Sequence, residues 1–225
     1  AEMIGIQVST APATTGTGKG QVNVSRTPPV TLQLGELALE IPEPWVIDLG
    51  SVPIPQTTAG LVGAELFKRY VVRIDPTKAT ITVFDPPTYK PEAGAESIPL
   101  TVEGDKLFLE ATLDAAPGRV VTQKLRIDTG SESSVNHEIA REAAEVQKST
   151  LGGGLGENFE GYSGRLRAVK LGSHVIKDVW APGGPNPAIG MELLRRFILT
   201  FDAPHGRLYL ERTAQFDEPV PPVSG

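Results

Sequence analysis

Asp128 is the residue whose neighbours best equip it for chemistry. It ends the segment Val120-Val-Thr-Gln-Lys-Leu-Arg-Ile-Asp128 and is followed at once by Thr129, Gly130 and Ser131. A strand that stops there projects a carboxylate from the end of a sheet. Gly130 permits a tight turn with its backbone close to that carboxylate. The hydroxyls of Thr129 and Ser131 can fix its geometry and donate hydrogen bonds to it. A carboxylate held in this way stays ionised while a second one carries a shared proton. The chemistry open to such a carboxylate is general acid–base catalysis. The tripeptide alone is also an ordinary turn.

Other chemistries have little support. The chain has no cysteine, which removes disulfides, thiolate metal sites and cysteine nucleophiles. Its three histidines, His137, His174 and His205, do not stand at metal-ligand spacing, so no metal is expected. Ser131, Ser133 and Ser134 do not sit in a Gly-x-Ser-x-Gly elbow. Two Gly-rich stretches, 16–20 and 152–156, lack the Gly-Lys-Ser/Thr of a phosphate loop and fit either flap tips that close over a substrate or plain long hairpins. The net charge of −6, with no basic stripe, argues against nucleic acid. No apolar run reaches the roughly 18 residues of a membrane span. The first residues lack the pattern of a secretory leader, though one could have been removed or lie upstream. An acidic, Cys-free, Pro-rich chain is associated with the periplasm or with secretion.

The chain repeats itself. Residues 61–75, Leu-Val-Gly-Ala-Glu-Leu-Phe-Lys-Arg-Tyr-Val-Val-Arg-Ile-Asp, match residues 188–202, Ala-Ile-Gly-Met-Glu-Leu-Leu-Arg-Arg-Phe-Ile-Leu-Thr-Phe-Asp, 127 positions later. Each copy runs into an alternating strand, at 80–84 and 207–211. Residues 1–10 match 141–150 more weakly. Both of those copies precede a Gly-rich stretch and then a strand ending Leu-Gly, at Gly35 and Gly172. The reading is two homologous lobes, 1–90 and 95–212, with a linker at 85–94 and a Pro-rich, extended or disordered tail at 213–225. In the second lobe, strands are expected near 97–103, 106–113, 119–128, 162–171, 174–180 and 206–211. Short helices are expected at 137–147, capped by Asn136, and at 191–197.

With these pieces in hand, the chain resembles the aspartic peptidases, specifically the retropepsin-like branch. Ile127-Asp-Thr-Gly-Ser131 matches the motif hydrophobic-Asp-Thr/Ser-Gly-Ser/Ala. Ala188-Ile189-Gly190 matches the second hallmark, two apolar residues and a glycine ahead of a short helix. The resemblance covers the second lobe, and in the first only the later part, where Leu61-Val-Gly63 repeats the second hallmark. It implies a mostly β acid-protease fold of two barrel-like lobes with short helices and a cleft between them. It also implies an aspartic endopeptidase that uses Asp128, supported by Thr129, Gly130 and Ser131, with Ile189 and Gly190 as the second hallmark. No cofactor is implied, and the partner is a peptide or protein substrate.

Such an enzyme needs a second aspartate. The repeat places the equivalent of Asp128 about a dozen residues before Ala1. Ile47-Asp48-Leu-Gly-Ser51 mimics the motif, but Asp48 precedes Gly63 by 15 residues, whereas 62 separate Asp128 from Gly190. No helix and flap fit between. The second aspartate would then come from an upstream fragment of the same precursor, from upstream residues outside this sequence, or from a second subunit in a homodimer. The alternative function is a catalytically inactive peptide-binding module derived from an aspartic peptidase.

The remaining candidates read as structural. Tyr162, Trp45 and Trp180 suit packing, and His137 suits a solvated first helical turn. Glu65 with Arg69, and Glu192 with Arg196, suit helix-face ion pairs. Asp75 and Asp202 suit turns.

Overall fold

The computed structural model describes residues 9–15, 22–47, 58, 60–151 and 159–222. Asp48 and both Gly-rich stretches lie outside them. The chain is mostly β and divides into two compact units, one of Ala1–Val62 with Gly152–Phe159, the other of Gly63–Leu151 with Glu160–Gly225. No described helix is long and apolar enough to cross a membrane.

In the first unit, β1 (Ser9–Thr15), β2 (Val22–Arg26) and β5 (Trp45–Ile47) form a three-stranded sheet in that order. β3 (Val30–Leu34) and β4 (Leu37–Ile41) form a hairpin. Gly35 turns that hairpin at a φ of 60°, and Gly172, its counterpart in the repeat, turns another at 56°. Only glycine takes such values without steric cost. Trp45 is exposed, with the Arg26 guanidinium 5.9 Å from its ring centre, so it is not the core residue its type suggested.

The second unit opens with α1 (Ala64–Arg69), β6 (Val71–Asp75) and β7 (Thr80–Phe84). β8 (Glu96–Pro99) and β9 (Thr101–Glu103) precede the long hairpin of β10 (Lys106–Ala116) and β11 (Arg119–Asp128). Next come β12 (Val135–Asn136), a 3-10 turn (Glu138–Glu142), β13 (Val146–Leu151), β14 (Phe159–Leu171) and β15 (His174–Pro182). β16 (Ala188–Gly190), α2 (Met191–Leu194), β17 (Phe197–Asp202) and β18 (Arg207–Arg212) complete it.

A nearly closed, barrel-like sheet runs β12-β16-β11-β10-β14-β13, with β15 on β14 and β9 on β10. Period-two burial builds its core: Leu107, Leu109, Ala111, Leu113 and Ala115 of β10 all face inward. The segment 137–147 is not the expected helix. Its Glu-Ala-Ala-Glu composition favours helix locally, but β14 passes so close that a Cβ on Gly164 would sit 1.8 Å from the Ala140 carbonyl oxygen. One 3-10 turn fits, and the chain then leaves to pair as β13. The second expected helix also stops early, at Leu194, because Phe197 already belongs to a strand.

A second sheet runs β7-β6-β17-β18-β8. At its centre β6 and β17, the two copies of the repeat, pair antiparallel with Val72 opposite Phe201, Arg73 opposite Thr200 and Ile74 opposite Leu199. Val72 corresponds to Leu199 and Ile74 to Phe201 in the repeat, so this register is two-fold symmetric about Arg73 and Thr200. The symmetry ends at the rims. β8 covers β18, while no described strand covers the outer edge of β7. Ile81 of β7 is therefore 66% exposed, and its counterpart Leu208 is 0% exposed. Leu208→Ala is expected to cost about 2–5 kcal/mol through the cavity it leaves. Ile81→Ala should stay within about 0.5 kcal/mol. Urea unfolding of both variants checks this, and equal losses would refute it.

Within residues 213–222 the C-terminal stretch packs onto the second unit. Phe216 and Val220 are buried, and Val220 bridges Val179. Arg196, fully buried, donates to the carbonyls of Gln215, Phe216, Glu218 and Pro219. An extended or disordered tail was expected from its prolines, and the side chain that holds it lies about 20 residues away.

Candidate functional site

β11 and β16 lie parallel, with Ile127 opposite Ile189 and Asp128 opposite Gly190. β12 flanks β16 on its other side, with Val135 opposite Ile189. The two motifs, 62 residues apart in sequence, are thus neighbours in one sheet. Ile189 and Leu125 are fully buried and anchor this arrangement.

Gly190 is needed for close approach. A Cβ there would stand 2.4 Å from the Ser133 carbonyl oxygen and 2.8 Å from that of Ser131. In the absence of a side chain, the backbone amides at the start of α2 latch the turn after Asp128. Gly190 donates to the Ser134 carbonyl at 2.8 Å, Met191 to Ser131 at 2.7 Å and Glu192 to Ser133 at 3.2 Å. The Ser131 amide closes the turn on the Asp128 carbonyl at 3.1 Å.

The Asp128 carboxylate, 31% exposed, has two partners. The Gly130 amide donates to Oδ1 at 3.2 Å, the close backbone approach that glycine was expected to allow. Arg126 Nη2 donates to Oδ2 at 2.9 Å. The hydroxyls expected to hold the carboxylate go elsewhere. Ser131 Oγ shares a hydrogen bond with Ser133 Oγ at 2.8 Å, and Thr129 is exposed at the turn. Ser134 Oγ donates to the Trp180 carbonyl and ties the turn to β15. Sequence reasoning missed Arg126. Its signal was the strand period, since a residue two positions before Asp128 on a strand shares its face.

His137 is buried, not solvated. Its Nδ1 accepts from the Ile139 amide at 2.9 Å, so it caps the 3-10 turn in place of Asn136. With Nδ1 an acceptor, Nε2 carries the proton and donates to Gln123 Oε1 at 2.7 Å. Burial pushes His137 below its ordinary value, the Glu138 charge opposing in part. The folded protein thus binds this proton less readily than the unfolded chain. The stability involved is present above the unfolded pKa of about 6.5 and is lost as pH falls through the lowered folded value. Melting temperature should therefore fall between about pH 7 and 5, and His137→Gln should flatten that slope. An unchanged slope would exclude His137 as its source.

Tyr162 lies under the Arg141 guanidinium, 4.5 Å from its ring centre, and against Gly183. With His137 and Gln123 it lines an open groove of about 700 Å³. A second groove of about 420 Å³ is lined by Glu96, His174 and Arg212. Neither is lined by Asp128. His174 Nε2 lies 3.2 Å from Glu96 Oε2 without hydrogen-bond alignment. Among the described residues, no three His, Asp or Glu side chains converge as metal ligands would. Glu192 pairs with Arg196 at 3.2 Å and Arg195 at 2.9 Å, whereas Glu65 and Arg69 form no such pair. Asp75 accepts from Thr77 and Lys78 in a turn, and Asp202 from His205 in another.

The arrangement presents one carboxylate at a sheet end, on a rigid turn, within reach of solvent. It can hold a water and take a proton from it. Comparison of the sequence with protein-family models and with curated proteins finds no match.

Proposed function

We propose that this chain carries the Asp128 half of an aspartic endopeptidase active site, of the retropepsin-like type, in a two-lobed acid-protease fold. The observation that carries the reading is the register of β11 beside β16, which sets Asp128 against Gly190. The symmetric pairing of β6 with β17 supports two related halves. Asp128 and a second carboxylate hold one water between them. The ionised member takes its proton, the hydroxide attacks the peptide carbonyl, and the protonated member gives its proton to the departing amine. The second carboxylate comes from an upstream segment of the same precursor or from a second subunit. The substrate is an extended peptide bound through its backbone as a strand would be. The proposed reaction draws on no cofactor.

One observation favours a second reading, a peptide-binding module without catalysis: the Arg126 guanidinium occupies the Asp128 carboxylate. A peptide-library cleavage assay from about pH 3 to 7, a range spanning the carboxylate pKa values, separates the two. Wild type should cut and Asp128→Asn should not. Sedimentation alongside it shows a doubled mass if a second subunit supplies the partner carboxylate. Cleavage by neither protein fits the binding module, and fits equally a chain separated from its second carboxylate.

A further inference from the structure

We propose that Arg126 is a specificity-determining residue of the Asp128 site, selecting peptides with an acidic side chain next to the residue seated at Asp128. The inference rests on the reading of Asp128 as a substrate-facing carboxylate. Along β11 the side chains alternate, so fully buried Leu125 faces the core while Lys124, Arg126 and Asp128 share the other face. Phe108 and Glu110 of β10, opposite Arg126 and Lys124, belong to that face as well.

The two cations that β11 contributes to this face differ. Lys124 is neutralised by Glu103 at 2.5 Å and lies 5.7 Å from the Phe108 ring centre. Arg126 makes one side-chain hydrogen bond among the described residues, from Nη2 to Asp128 Oδ2. A guanidinium has five N–H donors in a planar fork, so most of them are available to a ligand. Its side chain is 35% exposed and within a ligand's reach.

Chemistry at Asp128 requires Oδ2 or Oδ1 to hold a water, and the guanidinium competes for that role. A peptide carboxylate can take the fork bidentately, a geometry that a single-point contact to Asp128 does not satisfy. An acidic substrate therefore exchanges partners with Asp128 and frees its oxygen. A neutral side chain leaves the ion pair in place. The residue selects by the charge that its own carboxylate partner must otherwise supply.

The test is binding, which needs no second carboxylate. Two fluorescent peptides identical except for Glu or Gln beside the central bond are titrated with the full chain, its Arg126→Met, Arg126→Lys and Asp128→Asn variants. The Glu peptide should bind wild type about tenfold tighter, with the preference shrinking in high salt. Arg126→Met should erase the preference, while Arg126→Lys keeps part of it. Asp128→Asn should widen it, because Arg126 is released. Equal binding of both peptides by wild type, including no binding of either, overturns the proposal, as does a preference that survives Arg126→Met. Failure of the peptidase reading shows separately, as cleavage that Asp128→Asn does not reduce.

Discussion

Asp128→Asn should lower peptide cleavage by about 1,000-fold or more, the loss typical of removing an acid–base group, while leaving the fold intact. The amide is nearly the same size and keeps an oxygen for the Gly130 amide. It carries neither the negative charge that draws a proton from water nor an acidic proton to return. It also dissolves the ion pair with Arg126, a partly exposed contact worth at most about 1 kcal/mol to stability. Loss of cutting with an unchanged melting temperature therefore isolates chemistry from folding. Equal cutting by both proteins would remove Asp128 from the mechanism.

Arg196→Met should be strongly destabilising, at about 3–5 kcal/mol, because several buried carbonyls lose their donor together, at about 1 kcal/mol or more each. Arg196 is wholly buried and donates to Glu192 and to four carbonyls of the C-terminal stretch. Methionine fills much of the volume and satisfies none of those acceptors. Hydrogen exchange should show faster amides near Phe216 and Glu218, whose N–H groups bond to Thr213 and Gln215. Urea denaturation reads the total. A loss below about 1 kcal/mol, or protection unchanged in the tail, would show that the aromatic cluster of Phe197, His174 and Phe216 holds it instead.

The same residue shows where sequence reading stops. Arg69 and Arg196 occupy equivalent places in the repeat, yet Arg69 is exposed and Arg196 is buried beneath a tail that only one copy possesses. Leu61 and Val62 are likewise 64% and 42% exposed, while Ile189, the counterpart of Val62, is buried between β11 and β12. Repeated residues gain different environments when the strands around them differ. His137 was misjudged for a related reason. Its Nδ1 caps the 3-10 turn through the Ile139 amide, but its Nε2 reaches Gln123 of β11, 14 residues earlier, a partner that only the fold supplies.

The sequence by itself determined the strand-rich class, the strands near 106–113 and 119–128, the repeat, and the carboxylate at a strand end. These are local properties: period-two burial, turn residues and like segments are written in neighbouring positions. The tertiary structure decided the rest. It set β16 between β11 and β12 so that Asp128 meets Gly190, turned Ser131 toward Ser133 instead of the carboxylate, and laid Arg126 across Asp128. It paired the two copies of the repeat about a local two-fold and wrapped the tail over Arg196. Each of these joins residues distant in sequence, or chooses among partners equally available to a side chain. Such choices depend on the packing of the whole sheet and on which hydrogen-bond acceptors it leaves unsatisfied.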